Sequence, residues 1–170
     1  MVNTVRYRSL ASGLVLVCVL LFSAVGPASA TTNASYRWRL FLAINETRTA
    51  HGLHPLHLSS NLRGAAQRHS NDMVGRDYFA HTSPTGSTLF RRVANSGFQT
   101  FGNWWAGENL AWGTGNIGTP RYTVKMWLAS PVHRANLLSS SYGWVGIGRT
   151  KGRFLGHRGA IVWTVDFAHR

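Results

Sequence analysis

Apolar positions along the chain fall into three successive patterns, and each marks a different kind of segment. The first is a charge-free, mostly apolar run from Leu10 to Val25, preceded by Arg6 and Arg8 and followed by Gly26 and the small-residue stretch Pro27 to Ala30. A basic head, a short apolar stretch and an Ala-x-Ala ending are the pattern of a secretory signal peptide, so residues 1–30 are expected to be removed by cleavage after Ala30. The run is short for a bilayer span, although no charge appears between Arg8 and Arg37, which keeps an uncleaved anchor as the alternative. Cys18 sits in the middle of the run with no small residue before it, which does not suit lipoprotein processing.

After a short polar lead-in at 31–35, helical spacing takes over. Trp38, Phe41, Leu42, Ile44 and Ala50 predict a helix from Tyr36 to about His51, stopped by Gly52. "LHPLHLS" reads as an extended connection. Ser59 or Ser60 can cap a second helix that carries Leu62, Ala65, Ala66, His69 and Met73 on one face and closes at Gly75. A third, short helix is expected from Ser87, with Leu89, Phe90 and Val93 inward and Gly97 at its end. Thr119-Pro120 is a start signal for a fourth, presenting Val124, Trp127 and Leu128, and Ser130-Pro131 ends it.

From Tyr142 the period drops to two. Tyr142 to Thr150 and Gly159 to Phe167 alternate as strands around a glycine-rich turn at 151–156, and one more extended piece is expected near Phe98 to Leu110. No repeat or linker divides residues 36–170. Helices first and strands last predict one α+β domain, a small antiparallel sheet covered by helices.

Composition then narrows the setting. Cys18 is the only cysteine in the 170 residues, so the exported domain is cysteine-free and its fold must rest on packing. Export without disulfides suits a secreted or cell-envelope protein of a bacterium. The net charge is +13, of which Arg6 and Arg8 contribute two, and only five residues are acidic. Such a surface attracts polyanions, and outside a cell those are anionic wall polymers and lipid head groups; simple solubility explains the charge equally well. Arg91-Arg92 and the stretch Arg149 to Arg158 are the densest basic clusters. Nucleic acid is disfavoured, since no nucleic-acid motif accompanies the charge.

The segments "FLAINETRTAHGLHPL", "AAQRHSNDM", "YFAHTSPTGSTLFRRV", "GENLAWG", "VKMWLASPVHRANLL" and "VGIGR…VWTVDF" occur in one order between Tyr36 and Phe167. In that order they resemble the CAP superfamily, the SCP-like extracellular domains, and its bacterial members in particular. The resemblance implies an α-β-α sandwich, with helices on both faces of a central antiparallel sheet. It also implies a cleft where His81, Glu108 and His133 meet. Many relatives carry a second glutamate in a W-x-x-E pattern; here Ser130 stands at that place, which leaves one carboxylate in the family set and Ser130 as a hydrogen-bonding substitute.

Taken as chemistry, the cleft set is His81, Glu108, Ser130 and His133. His81 and His133 are the candidate metal ligands, for zinc or another divalent cation, with Glu108 a ligand, an orienting partner or the candidate catalytic base. No other cofactor is expected. Spacing alone does not support a metal, because no H-x-x-x-H pattern is present. Read without the family, His81 is a histidine bonded to backbone near a Ser-Pro turn, His133 a helix-end residue, and Glu108 a carboxylate capping amides or pairing with an arginine. Ser130 lies three residues before His133, but no G-x-S-x-G elbow supports a nucleophile. Trp104, Trp105 and Trp112 suit a core better than a stacking platform. His51, His54, His57, His69, His157 and His169 read as surface or helix-face residues.

These readings leave three functions. The first is a monomeric, non-catalytic or weakly catalytic module that binds an unidentified extracellular ligand in the cleft, with or without a divalent metal. The second is a metal-dependent hydrolase acting on cell-wall, peptide or lipid substrate. The third is a basic, polyanion-binding envelope protein.

Overall fold

The computed structural model describes residues 28–170; the apolar leader run and Cys18 lie outside the described residues. Among the described residues, no helix is long and apolar enough to cross a membrane. Four strands, β1 (His57–Leu58), β2 (Trp105–Gly113), β3 (Trp144–Phe154) and β4 (His157–His169), form one sheet in the order β1-β3-β4-β2. The long pairings are antiparallel, and β1 adds a two-residue parallel contact to β3, which makes the sheet mixed. The extended "LHPLHLS" segment supplies that strand. β3 and β4 run on through the glycine-rich segment expected as a turn, and the reversal shrinks to Leu155 and Gly156, both at positive φ (47° and 81°), the backbone of a two-residue hairpin.

Alternate residues of each strand serve opposite faces. On one face, Val145, Ile147, Trp163, Val165 and Phe167 pack against Leu40, Ala43 and Ile44 of α1 (Ala28–Ala50) and Val124 and Trp127 of α4 (Pro120–Ala129). The polar lead-in at 31–35 is part of α1. The buried stripe of α1 is Leu40, Ala43 and Ile44, while Trp38 and Leu42, expected inward, are exposed. Arg48 in its last turn is buried instead, donating to the carbonyls of His54, Leu137 and Ser139.

On the other face lies α2 (Ser60–Arg76), capped by the Ser59 hydroxyl, which accepts from Leu62 N–H. Leu62, Ala65, Ala66, His69, Ser70 and Met73 point into the sheet. Gly146 and Gly148 make this contact possible, because a Cβ at Gly146 would stand 2.1 Å from the Leu62 carbonyl carbon and one at Gly148 2.3 Å from the Ala66 oxygen. The glycines of "VGIG" are therefore a groove for a helix backbone.

Two short helices complete the frame. α3 (Leu89–Ala94) is capped by Thr88 and turns Val93 and Arg92 inward. Phe90, expected inward, is 54% exposed and meets the Trp104 ring at 5.7 Å. α5 (Pro131–Leu137) was not expected: Pro131 ends α4 and also opens a new helix, since proline suits a first turn as well as a stop.

Candidate functional site at the edge of β2

β2 is an edge strand, and the site is built around its outer side. The carbonyls of Glu108 and Leu110 accept from the side chains of Asn136 (3.2 Å) and Trp127 (3.0 Å). Even-numbered residues of β2 thus turn their backbone groups away from β4 and their side chains toward α2. Odd-numbered Asn109 has its side chain on the α4/α5 face. The edge is in this way reached from both sides.

From the α2 side comes the 77–88 loop with His81. Its Nδ1 lies 2.7 Å from Oε1 of Glu108, whose side chain is only 1% exposed, while the His81 side chain is 59% exposed. The carboxylate makes Nδ1 the donor and leaves Nε2 outside that bond, on a largely exposed ring. Arg92 donates from Nη2 to Glu108 Oε2 at 2.6 Å and from Nη1 to the carbonyls of His81 and Ser87, both at 2.9 Å. One guanidinium therefore holds the carboxylate and the loop that delivers the histidine. His69 lies behind, 4.0 Å from Glu108, and Nε2 meets the Ala80 carbonyl at 2.9 Å.

From the α5 side comes His133. Its Nδ1 is 2.9 Å from the Ser130 hydroxyl, and its carbonyl accepts from Asn109 Nδ2 at 2.9 Å. Asn136 also donates to Asn109 Oδ1 at 3.0 Å, and Tyr142 donates to Asn136 at 3.4 Å. A Cβ at Gly107 would lie 2.3 Å from that tyrosine oxygen, which accounts for the glycine of "GEN". Ser130 thus bonds His133 where a W-x-x-E relative has its acid.

The electrostatics divide the groups. Burial pushes Glu108 upward, but the His81 hydrogen bond, Arg92 and His69 outweigh it and hold the carboxyl below its ordinary range. Burial lowers His69, the charge of Glu108 notwithstanding. Burial also lowers His133, and so does the neighbouring His81; His133 therefore favours its neutral form. A second carboxyl, Asp166, pairs with Glu108 across β2 and β4. Burial drives it well above the usual range, and the Glu108 charge adds to this. Neither Asp166 oxygen has a hydrogen-bond partner, and the two carboxyls occupy directly opposed positions of the β2–β4 ladder.

As a cation centre the set is sparse. No three His, Cys, Asp or Glu side chains gather into a metal-holding group among the described residues. Both oxygens of Glu108 are engaged, and the imidazole nitrogens outside the contacts described are Nε2 of His81 and Nε2 of His133, the only two among the described residues that could be offered to a cation here. His51, His57 and His169 are engaged elsewhere: His51 bonds the Thr47 carbonyl, His57 lies against Trp144, and His169 stacks on Trp105 at 4.1 Å. Trp112 packs on Phe154.

Arg92, Asp166, Asn109, Asn136 and Tyr142 were missed from sequence. Arg92 and Arg149, read as members of surface basic clusters, are buried. A helical count from the Thr88 cap would have placed Arg92 on the same inner face as Val93.

Residues 41–167 match the sequence pattern of CAP, the cysteine-rich secretory protein family. The chain is 31% identical over 136 residues to the uncharacterized protein YkwD of Bacillus subtilis, covering 79% of this chain and 47% of that one. It is 36% identical over 104 residues to the uncharacterized membrane protein YlbC of the same organism, covering 61% and 28%. It spans about half or less of the length of these curated relatives. Among solved structures it resembles an extracellular protein containing a SCP domain from Bacillus anthracis (TM-score 0.67, 26% identity, 85% of this chain and 45% of that one). An outer surface protein of Borrelia burgdorferi shares the fold (TM-score 0.64, 23% identity, 77% and 90%). Motif order, sheet topology and these likenesses agree, and the chain belongs to the CAP, or cysteine-rich secretory protein, family.

Proposed function

We propose that this is an exported CAP-domain protein that binds an extracellular ligand across the β2 edge, using Nε2 of His81 and Nε2 of His133, and that a divalent cation such as zinc is one species these nitrogens hold. The leader-like N-terminal pattern, and the extracellular description of the Bacillus anthracis relative, support export.

The observation that carries the reading is the His81–Glu108–Arg92 chain. It fixes the tautomer and direction of an exposed imidazole, as an orienting carboxylate does beside a ligating histidine. Binding is preferred to hydrolysis because Glu108 has both oxygens committed and almost no exposure. A general base needs an oxygen within reach of the proton it takes.

Calorimetric titration of zinc into untagged protein tests this. Wild type is expected to bind, with affinity lost in His81→Ala and in His133→Ala and reduced about 10–100-fold in Glu108→Gln. Equal affinity in all four proteins would overturn it.

A further inference from the structure

The opposite edge of the sheet carries a second feature with chemistry of its own. Beyond β1, the outer edge of β3 is covered by the start of α1 and by Gln67 of α2. Gln67 accepts from Arg149 N–H at 3.1 Å and donates to the Arg149 carbonyl at 2.9 Å. Beside this lies a cavity of about 490 Å³ reached by Asn71, Arg149, Thr150 and Lys151.

Arg149 is the unusual member. It is 4% exposed, yet it forms no ion pair with any Asp or Glu among the described residues. Its guanidinium lies over the rings of Tyr36 (4.6 Å) and Trp163 (5.6 Å) and donates from Nη1 to Asn33, while Nε has no partner. A charge withdrawn from water is costly unless paired. No acidic residue lines the cavity, and Lys151 adds a second cation.

The side-chain oxygens of Asn71, Thr150 and Gln67 are engaged within this wall. Asn71 Oδ1 accepts from Gln67 (3.0 Å) and Thr150 (2.6 Å), Thr150 Oγ1 accepts from Gln67 (3.1 Å), and Gln67 Oε1 accepts from Arg149 N–H and from Arg37 (3.5 Å). The charged and amide donors at the cavity are those of Arg149, Lys151 and Asn71.

We propose that this cavity is a phosphate-ester site, in which Arg149 and Lys151 neutralise the phosphoryl group, Asn71 donates to it, and the remaining volume receives the alcohol. Two cations and an amide with no acid match a doubly charged phosphoryl better than a single carboxylate. The site lies across the sheet from His81 and is independent of the reading given above.

The test is calorimetric titration of glycerol 3-phosphate into the full chain recovered from an exporting host, with glycerol and glucuronate as comparison probes. Saturable binding is expected for glycerol 3-phosphate alone. It should weaken at least tenfold in Lys151→Gln and in Asn71→Ala, both exposed and expected to keep the wild-type circular dichroism spectrum, and be unchanged in His81→Ala. Absence of saturable binding, equal binding of glucuronate, or affinity indifferent to both Lys151→Gln and Asn71→Ala would overturn the proposal. The Arg149 side chain is part of the core, where its replacement can lose binding through misfolding, so the two exposed positions carry the test.

Discussion

Asp166 stands directly opposite Glu108 on the α2 face of the β2–β4 pair, in the narrow kind of cross-strand position where side chains approach most closely. Arg92 and His81 favour the charged form of Glu108, while burial and the Glu108 charge favour the protonated form of Asp166. Its folded pKa lies above its unfolded one, so the stability it contributes is complete below the unfolded pKa of about 4 and is lost as pH rises toward the folded value. Asp166→Asn removes that loss. Urea midpoints measured from pH 4 to pH 8 should show the variant gaining on wild type steadily as pH rises; parallel curves would refute the assignment.

Arg92 and His81 both touch Glu108 but differ in what their removal leaves behind. Arg92→Ala strands a buried carboxylate and should destabilise the protein by about 3–5 kcal/mol. His81, mostly in solvent, should cost less than about 1 kcal/mol when replaced by alanine. Chemical denaturation of the two variants side by side checks the order; a His81 effect as large as that of Arg92 would contradict it.

His133 should titrate below the ordinary imidazole value of about 6.5, because burial and the neighbouring His81 disfavour its charged form. In a proton NMR titration its ring resonances are expected to shift at lower pH than those of a free imidazole. His81→Ala should move the midpoint upward. A midpoint that ignores the His81 substitution would mean that the two rings do not sense each other.

Gly146→Ala tests the packing beneath the site. The added methyl meets helix backbone rather than a movable side chain, and overpacking of this kind costs about 1–3 kcal/mol or more. A fall in thermal midpoint is expected, whereas Gly143→Ala, with open space around the position, should leave packing undisturbed.

What was legible in sequence was local. Ser59, Thr119-Pro120 and the alternation after Tyr142 announce α2, α4 and the β3–β4 hairpin through capping and period, which depend on neighbours in the chain. Phe90 and Arg92 exchange the places that apolar character alone predicts, because polarity does not by itself set the inner face of a six-residue helix. Arg92 is inward on account of Glu108, and that pairing is a property of the folded chain. Asp166 escaped notice for the same reason: "VDF" reads as a strand end, and only the register with β2 sets its carboxyl against the one in "GEN". His81, Glu108 and His133 were placed by family resemblance, since nothing in their spacing announces them.

Asn136 and Trp127, which occupy the outward carbonyls of Glu108 and Leu110, also have a bearing on how the molecule behaves among copies of itself. An uncovered border strand is a template on which a neighbouring chain can add. The groups that occupy the β2 edge thus double as a stopper against chain-to-chain accretion, and loss of the Asn136 amide should surface as increased light scattering.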